Sequence, residues 1–167
     1  IIKNEKNIII LIGKTFGHLY QSVFFEEIYS INEGPPPEVN LTNEKNNGEA
    51  VLNLLDKNLI SSAHDVSSGG LIIALAEMSL ASNYGIKIDK PKNLTNLFEY
   101  FYGEDQGRYL LEIEKNNLTE VHKILRANNI FNEIVGVTQE NYFELSGEFK
   151  VNINELYKTN NKWYHNY

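Results

Sequence analysis

The sequence contains no cysteine among its 167 residues. That excludes a disulfide framework, a thiolate metal site and a cysteine nucleophile, and it suits a reducing compartment, with the cytoplasm as the default expectation. Arginine is nearly absent as well, with guanidinium groups only at Arg108 and Arg126. The formal charge is -7 and the lysines are dispersed, which argues against nucleic acid or an anionic membrane as partner, since either would want clustered Lys and Arg. Long apolar runs are missing: the run Ile8 to Ile12 is far too short to span a bilayer, and no basic-then-apolar leader precedes it. The chain also lacks an initiator methionine and enters a strand-like segment almost at once, so it reads as a piece of something larger. Scarce arginine beside abundant Asn, Lys and Ile is the bias of an AT-rich genome, and it makes surface asparagines poor site candidates.

What is present suffices for one core. A hydrophobic fraction of 42% over 167 residues is enough for a single globular domain, residues 1–167, and not obviously for two. Asn7 to Ile12 predicts a buried strand ending at Gly13. The following Gly13-Lys14-Thr15 is not a P-loop, because the required earlier glycine is replaced by Ile8. Gln21 to Ile31 has no clean period, and Gly34-Pro35-Pro36-Pro37 forces an extended connector that breaks any helix before it. Between Asn43 and Leu59, Ala50, Val51, Leu54 and Leu55 predict one buried stripe on a polar helix, and Leu59 to Ala63 a short strand. Leu71 to Tyr84 predicts a central helix covered on two sides. Further strands are expected at Tyr109–Ile113, at Glu133–Val137 and within Glu144–Val151. Asn117 with Glu120 predicts an N-capped helix running to about Asn129. Trp163 and Tyr164 look like a terminal hydrophobic anchor.

The most informative stretch is Ser62-Ala63-His64-Asp65-Val66-Ser67-Ser68-Gly69-Gly70-Leu71, whose polar, glycine-paired turn opens directly into the central helix. Unpaired amides and the macrodipole at a helix N-terminus favour anions, and paired glycines let a ligand or another chain segment approach the backbone. Ser or Asp capping a helix, with glycines giving room for packing, would look the same. Asp65, Ser67, Ser68, Gly69 and Gly70 are therefore candidates for an anion site. The second constellation is Glu104-Asp105-Gln106, two carboxylates and an amide on a turn between Gly103 and Gly107. Such a turn suits a ribose or amide ligand, or the outer shell of a magnesium-bound nucleotide; a solvated acidic turn is the plain alternative. His64 beside Asp65 is poorly placed as a general base, because neighbours on a strand point to opposite faces. His18 and His122 lack partners at metal-ligand spacing, so no metal site and no catalytic residue is assigned.

Four stretches in order carry a resemblance: Gly13-Lys14-Thr15-Phe16-Gly17-His18-Leu19; Glu33-Gly34-Pro35-Pro36-Pro37-Glu38-Val39-Asn40-Leu41; His64 to Leu71 with Ala74-Leu75-Ala76-Glu77-Met78; and Gly103-Glu104-Asp105-Gln106-Gly107-Arg108-Tyr109. Together they resemble the phosphoribosylformylglycinamidine synthase family, in the C-terminal half of the second of its two repeats related to aminoimidazole ribonucleotide (AIR) synthetase. Two departures stand out: Ser68 where the family usually has Asp, and Tyr20-Gln21 where it commonly has Gly-Gly or Gly-Gln. The resemblance implies an α/β fold of the α+β type, with helices packed on a mixed, mainly antiparallel sheet. It implies a ligase acting in purine biosynthesis, using ATP and magnesium to amidate formylglycinamide ribonucleotide with glutamine-derived ammonia. It also implies that the isolated domain is inactive, with the N-terminal domains of the same synthase, a glutaminase and a small bridging subunit as partners. The alternatives are a non-catalytic scaffold domain of that enzyme, or a domain of a related selenophosphate, hydrogenase-maturation or AIR synthase.

Overall fold

The protein, as a computed structural model, is described over residues 1–162; Trp163 and Tyr164 lie outside the described residues. Seven strands form one sheet: β1 Ile8–Ile12, β2 Ser62–Val66, β3 Gly85–Ile88, β4 Arg108–Ile113, β5 Asn132–Gln139, β6 Tyr142–Leu145 and β7 Phe149–Asn152. Their order is β2-β4-β1-β5-β3-β6-β7, and every pairing is antiparallel except β3 with β6. The sheet is therefore mixed and mainly antiparallel, as the resemblance implies.

Strand alternation sends side chains to two different cores. On β1, Ile9 and Leu11 point to one face and Ile10 and Ile12 to the other, and all four are fully buried. The first face packs against α3 Gly70–Ser82, α4 Leu97–Tyr102 and α6 Ile153–Asn161, through Leu71, Leu75, Met78, Phe101 and Ile153. The second packs against α2 Leu41–Asp56 and α5 Leu118–Ala127, through Val51, Leu54, Val121 and Leu125. Such two-sided cover explains why β1 reads as a continuous apolar run rather than an alternation.

Several expectations shift. The buried stripe of α2 is Asn47, Ala50, Val51 and Leu54; Leu55 lies one position round the helix and is 41% exposed. The strand expected at Leu59–Ala63 begins three residues later. Asn58 at φ 53 closes α2, Leu59 N–H donates to Leu54 O, and pairing starts only when Ser61 N–H donates to Glu112 O. The segment without clean period contains a short helix, α1 Val23–Tyr29, with no buried residue, held where Phe24 stacks on Tyr102 and Phe98 at ring separations of 4.5 and 5.3 Å. The left-handed Ser30 ends it before the prolines are reached. Asn117 precedes α5 but makes no side-chain cap; its amide donates to Leu59 O instead. The single expected strand within Glu144–Val151 is the hairpin β6–β7, turned at Gly147 with φ 80.

Candidate functional site

The turn from α4 into β4 gathers the loops at one end of the sheet. One Glu104 oxygen, Oε1, accepts hydrogen bonds from Gly69 N–H and from Val23 N–H, both at 2.8 Å. Glu104 N–H donates to His18 O at 2.9 Å. Asp105, 5% exposed, takes the next loop: its Oδ2 accepts from Phe16 and Gly17 N–H at 2.9 Å each, and its Oδ1 from His18 N–H at 3.3 Å. A carboxylate bonded to several backbone amides is a strong anchor, because such bonds are charge-assisted.

Arg108 lies beneath this turn, 1% exposed. It donates to the carbonyls of Gly103 and Asp105 and to Thr15 Oγ1, while the Asp105 carboxylate stands 4.0 Å away. Burial lowers the guanidinium pKa, and the charge of Asp105 is the foremost influence opposing that. Nearby, Tyr100 donates to Glu133 Oε1 at 3.0 Å; burial pushes its phenol well above the ordinary value, and the Glu133 charge adds to this.

The glycines before α3 meet protein. A Cβ on Gly70, at φ 72, would stand 2.7 Å from Gly103 O, so the paired glycines let the α4–β4 turn approach the helix start. The N-cap of α3 is Gly69 itself, with no side-chain cap; Ser67 O accepts from Gly70 N–H at 3.1 Å, but neither the Ser67 nor the Ser68 side chain bonds there, and both residues are exposed. Asp65 is further away still: it lies on β2 opposite Tyr109 with its side chain 68% exposed, 3.9 Å from the ring of His64. Of the anion-site candidates, only Gly69 and Gly70 meet the Glu104 turn directly. His64 sits in mid-strand on β2, and its other nitrogen lies 3.6 Å from Glu77.

Over these loops opens a cleft of about 780 Å³. The loop Gly13–Tyr20, the first turns of α2, Phe25 and Phe131 form its walls, and Asp105 and Gln106 reach it from the turn. Gln106 is exposed and makes no side-chain hydrogen bond to the described residues, so it alone of Glu104, Asp105 and Gln106 keeps its polar group free. Glu38, Glu44 and Glu99 line the cleft against one cation, Lys14. A triphosphate would find poor company there, because the loop amides of residues 16–18 are occupied by Asp105. Among the described residues, no three His, Cys, Asp or Glu stand close enough to hold a metal ion. The chain's own residues thus do not fit a magnesium nucleotide. The α2 face, Asn43, Glu44 and Asn47, escaped sequence reading because asparagine-rich polar helix surface carries no motif. Its signal is positional: Asn47 is buried and donates to Gly107 O, which fastens that helix to the turn.

Residues 5–146 match the family described as AIR synthase related protein, C-terminal domain. The chain is 46% identical over 166 residues to the phosphoribosylformylglycinamidine synthase subunit PurL of Pelagibacter ubique, covering 99% of this chain and 23% of that protein. It is similar in structure to T. maritima PurL complexed with FGAR, at a TM-score of 0.77 and 18% identity, over 92% of this chain and 28% of that one. It is also similar to the structure of PurLQS from Thermotoga maritima, at 0.69 and 18%, over 93% and 27%. At such identities the structural likeness speaks for the fold alone, and the chain spans about a quarter of the length of the curated relatives it matches. No helix among the described residues is long and apolar enough to cross a membrane. The match over most of the chain, the mainly antiparallel sheet and the ordered motifs agree: the chain belongs to the AIR synthase related protein, C-terminal domain, family.

Proposed function

We propose that this chain is the C-terminal AIR synthase-related domain of a phosphoribosylformylglycinamidine synthase. That enzyme is a cytoplasmic ligase of purine biosynthesis which amidates formylglycinamide ribonucleotide with glutamine-derived ammonia at the expense of ATP. The observation that carries the reading is the alignment of 99% of this chain, at 46% identity, with part of a protein named for that activity. ATP and magnesium are bound by the N-terminal domains of the same polypeptide. The acidic lining of the cleft supports this, since it offers one lysine and few free amides to a phosphate. A glutaminase and a small bridging subunit complete the assembly, in keeping with a relative solved as PurLQS.

Within that enzyme the chain shapes a cleft and does not carry the chemistry. Gln106 offers an amide to an uncharged part of a ligand, while Glu104 and Asp105 hold the surrounding loops. The exposed Asp65, Ser67 and Ser68 face outward, available to the neighbouring domain. A scaffold reading, in which the chain touches no ligand, is favoured by one specific observation: both carboxylates of the turn are already bonded within the chain.

A graft tests the activity. This chain would replace the matching segment of the Pelagibacter ubique synthase, and amidation of formylglycinamide ribonucleotide would be followed with ammonium chloride as nitrogen source. The expected result is turnover within about tenfold of the host enzyme, and none from the 167-residue chain alone. A folded graft without turnover would refute the assignment. Gln106→Ala in the active graft then separates the two readings: a raised KM supports ligand contact, and unchanged kinetics support the scaffold.

A further inference from the structure

We infer that Glu104 is a positioning residue: its carboxylate fills the anion seat at the N-terminus of α3 and, through the same oxygen, sets the α1 wall of the cleft. The two bonds to Oε1, each 2.8 Å, come from residues 35 and 81 positions away in sequence. Nothing local requires them to share an acceptor. The helix served at Gly69 is thirteen residues long and has no side-chain cap of its own; Gly70 N–H is taken by Ser67 O, so without Glu104 the Gly69 amide and the macrodipole would stand uncompensated. An internal carboxylate at that point does what a bound anion does elsewhere, and it closes the seat to an outside phosphate.

The second bond carries the consequence for the cleft. Within α1 and its flanks the other described hydrogen bonds stay inside residues 19–34: Ser22 to Leu19, Phe25 and Glu26 to Ser22, Ser30 to Glu26, Ile31 to Phe25 and Gln21 to Gly34. Val23 N–H to Glu104 is the polar tie joining this helix to the body of the domain. The helix contributes Phe25 to the cleft wall, and Phe25 in turn meets Tyr20, another lining residue, with ring centroids 5.9 Å apart. Glu104 adds this tie to the stacking of Phe24 on Tyr102 and Phe98, and together they set α1 and with it the Phe25 wall of the cleft. The inference concerns placement and holds whether or not the parent enzyme has the proposed activity.

The test is hydrogen exchange followed by mass spectrometry, on the intact polypeptide that carries this chain, in Glu104→Ala and Glu104→Gln variants. Exchange should rise roughly tenfold or more in Glu104→Ala, in the two peptides containing Val23 and Gly69, with the β6–β7 hairpin unchanged. Sodium formate, a carboxylate small enough to enter the vacated seat, should restore protection saturably, while sodium chloride at equal ionic strength should not. Glu104→Gln keeps a carbonyl acceptor and should fall between wild type and Glu104→Ala. Wild-type exchange in both peptides of either variant would overturn the inference. So would a loosening spread evenly over the domain that formate does not reverse. If Glu104→Ala does not fold, Glu104→Gln decides: faster exchange confined to the two peptides upholds the inference, and unchanged or uniformly faster exchange refutes it.

Discussion

Strand β4 buries one charge of each sign on the same face, Arg108 at its first residue and Glu112 four residues on, and the two are satisfied differently. Glu112 is fully buried and accepts from the backbone N–H of Lys3 and Asn4, the Asn7 amide and the Ser62 hydroxyl. Every one of those donors is neutral and belongs to the N-terminal segment or to β2, so this end of the strand is finished architecture. Arg108 is held by two carbonyls and a hydroxyl, with its nearest carboxylate at 4.0 Å. Its donors hold together the loops around the cleft. Both buried charges carry a desolvation cost met mainly by neutral partners; they differ in what those partners belong to, the N-terminal segment and β2 at Glu112 and the loops around the cleft at Arg108.

That contrast breaks first at Glu112. Glu112→Ala leaves several buried donors without an acceptor and should cost about 3 kcal/mol or more, seen as a lower denaturant midpoint with an unchanged slope. Arg108→Met should cost less, about 2 kcal/mol, because removing the guanidinium also removes its desolvation cost. Its signature is local: faster amide exchange in Gly13–Leu19 while the N-terminal segment stays protected. A larger loss at Arg108 than at Glu112 would overturn the comparison. Asp105→Asn weakens three charge-assisted bonds to residues 16–18 and should cost about 1–2 kcal/mol, read as limited proteolysis within that loop.

The phenol beside Arg108 gives a pH probe of the same end. Tyr100 has a pKa raised by burial in the folded state, so it stays protonated there while the unfolded chain's tyrosine ionises near pH 10. Its contribution is therefore fully present below about pH 10 and lost as pH rises further, at up to about 1.4 kcal/mol per pH unit. Denaturation of wild type against Tyr100→Phe between pH 8 and 11.5 should show the gap moving in favour of the variant above pH 10. The smallest effect is expected from Gln106→Ala, within about 0.5 kcal/mol of wild-type stability, since its amide bonds to nothing in the described protein.

Sequence made the two-sided strand β1, the central helix α3 and the amphipathic α5 legible, because each carries its own period. Four elements escaped: α1, in a stretch with no clean period, and three more. Strand β3 is four residues long, α4 is six, and neither length sustains a pattern; α6 has one buried residue, Ile153, and little stripe to show. Both site turns were visible as turns, but their joining was not. Glu104 and Gly69 look like separate candidates for an outside ligand until the fold brings each to the other. Gln21, at φ 56, adopts a conformation in which glycine is easier, and its amide donates to Gly34 O.

The central place of β1 also sets the order in which the domain can be made. Residues 8–12 pair with 109–113 on one side and with 132–137 on the other, so this interior strand is made before either neighbour and waits about a hundred residues or more for them. Until β4 and β5 exist, an Ile-rich segment stays without its sheet, and contacts of such long range make closure slow. Helix α2 and its turn can form early, but the two cores become complete only when most of the chain has been synthesised.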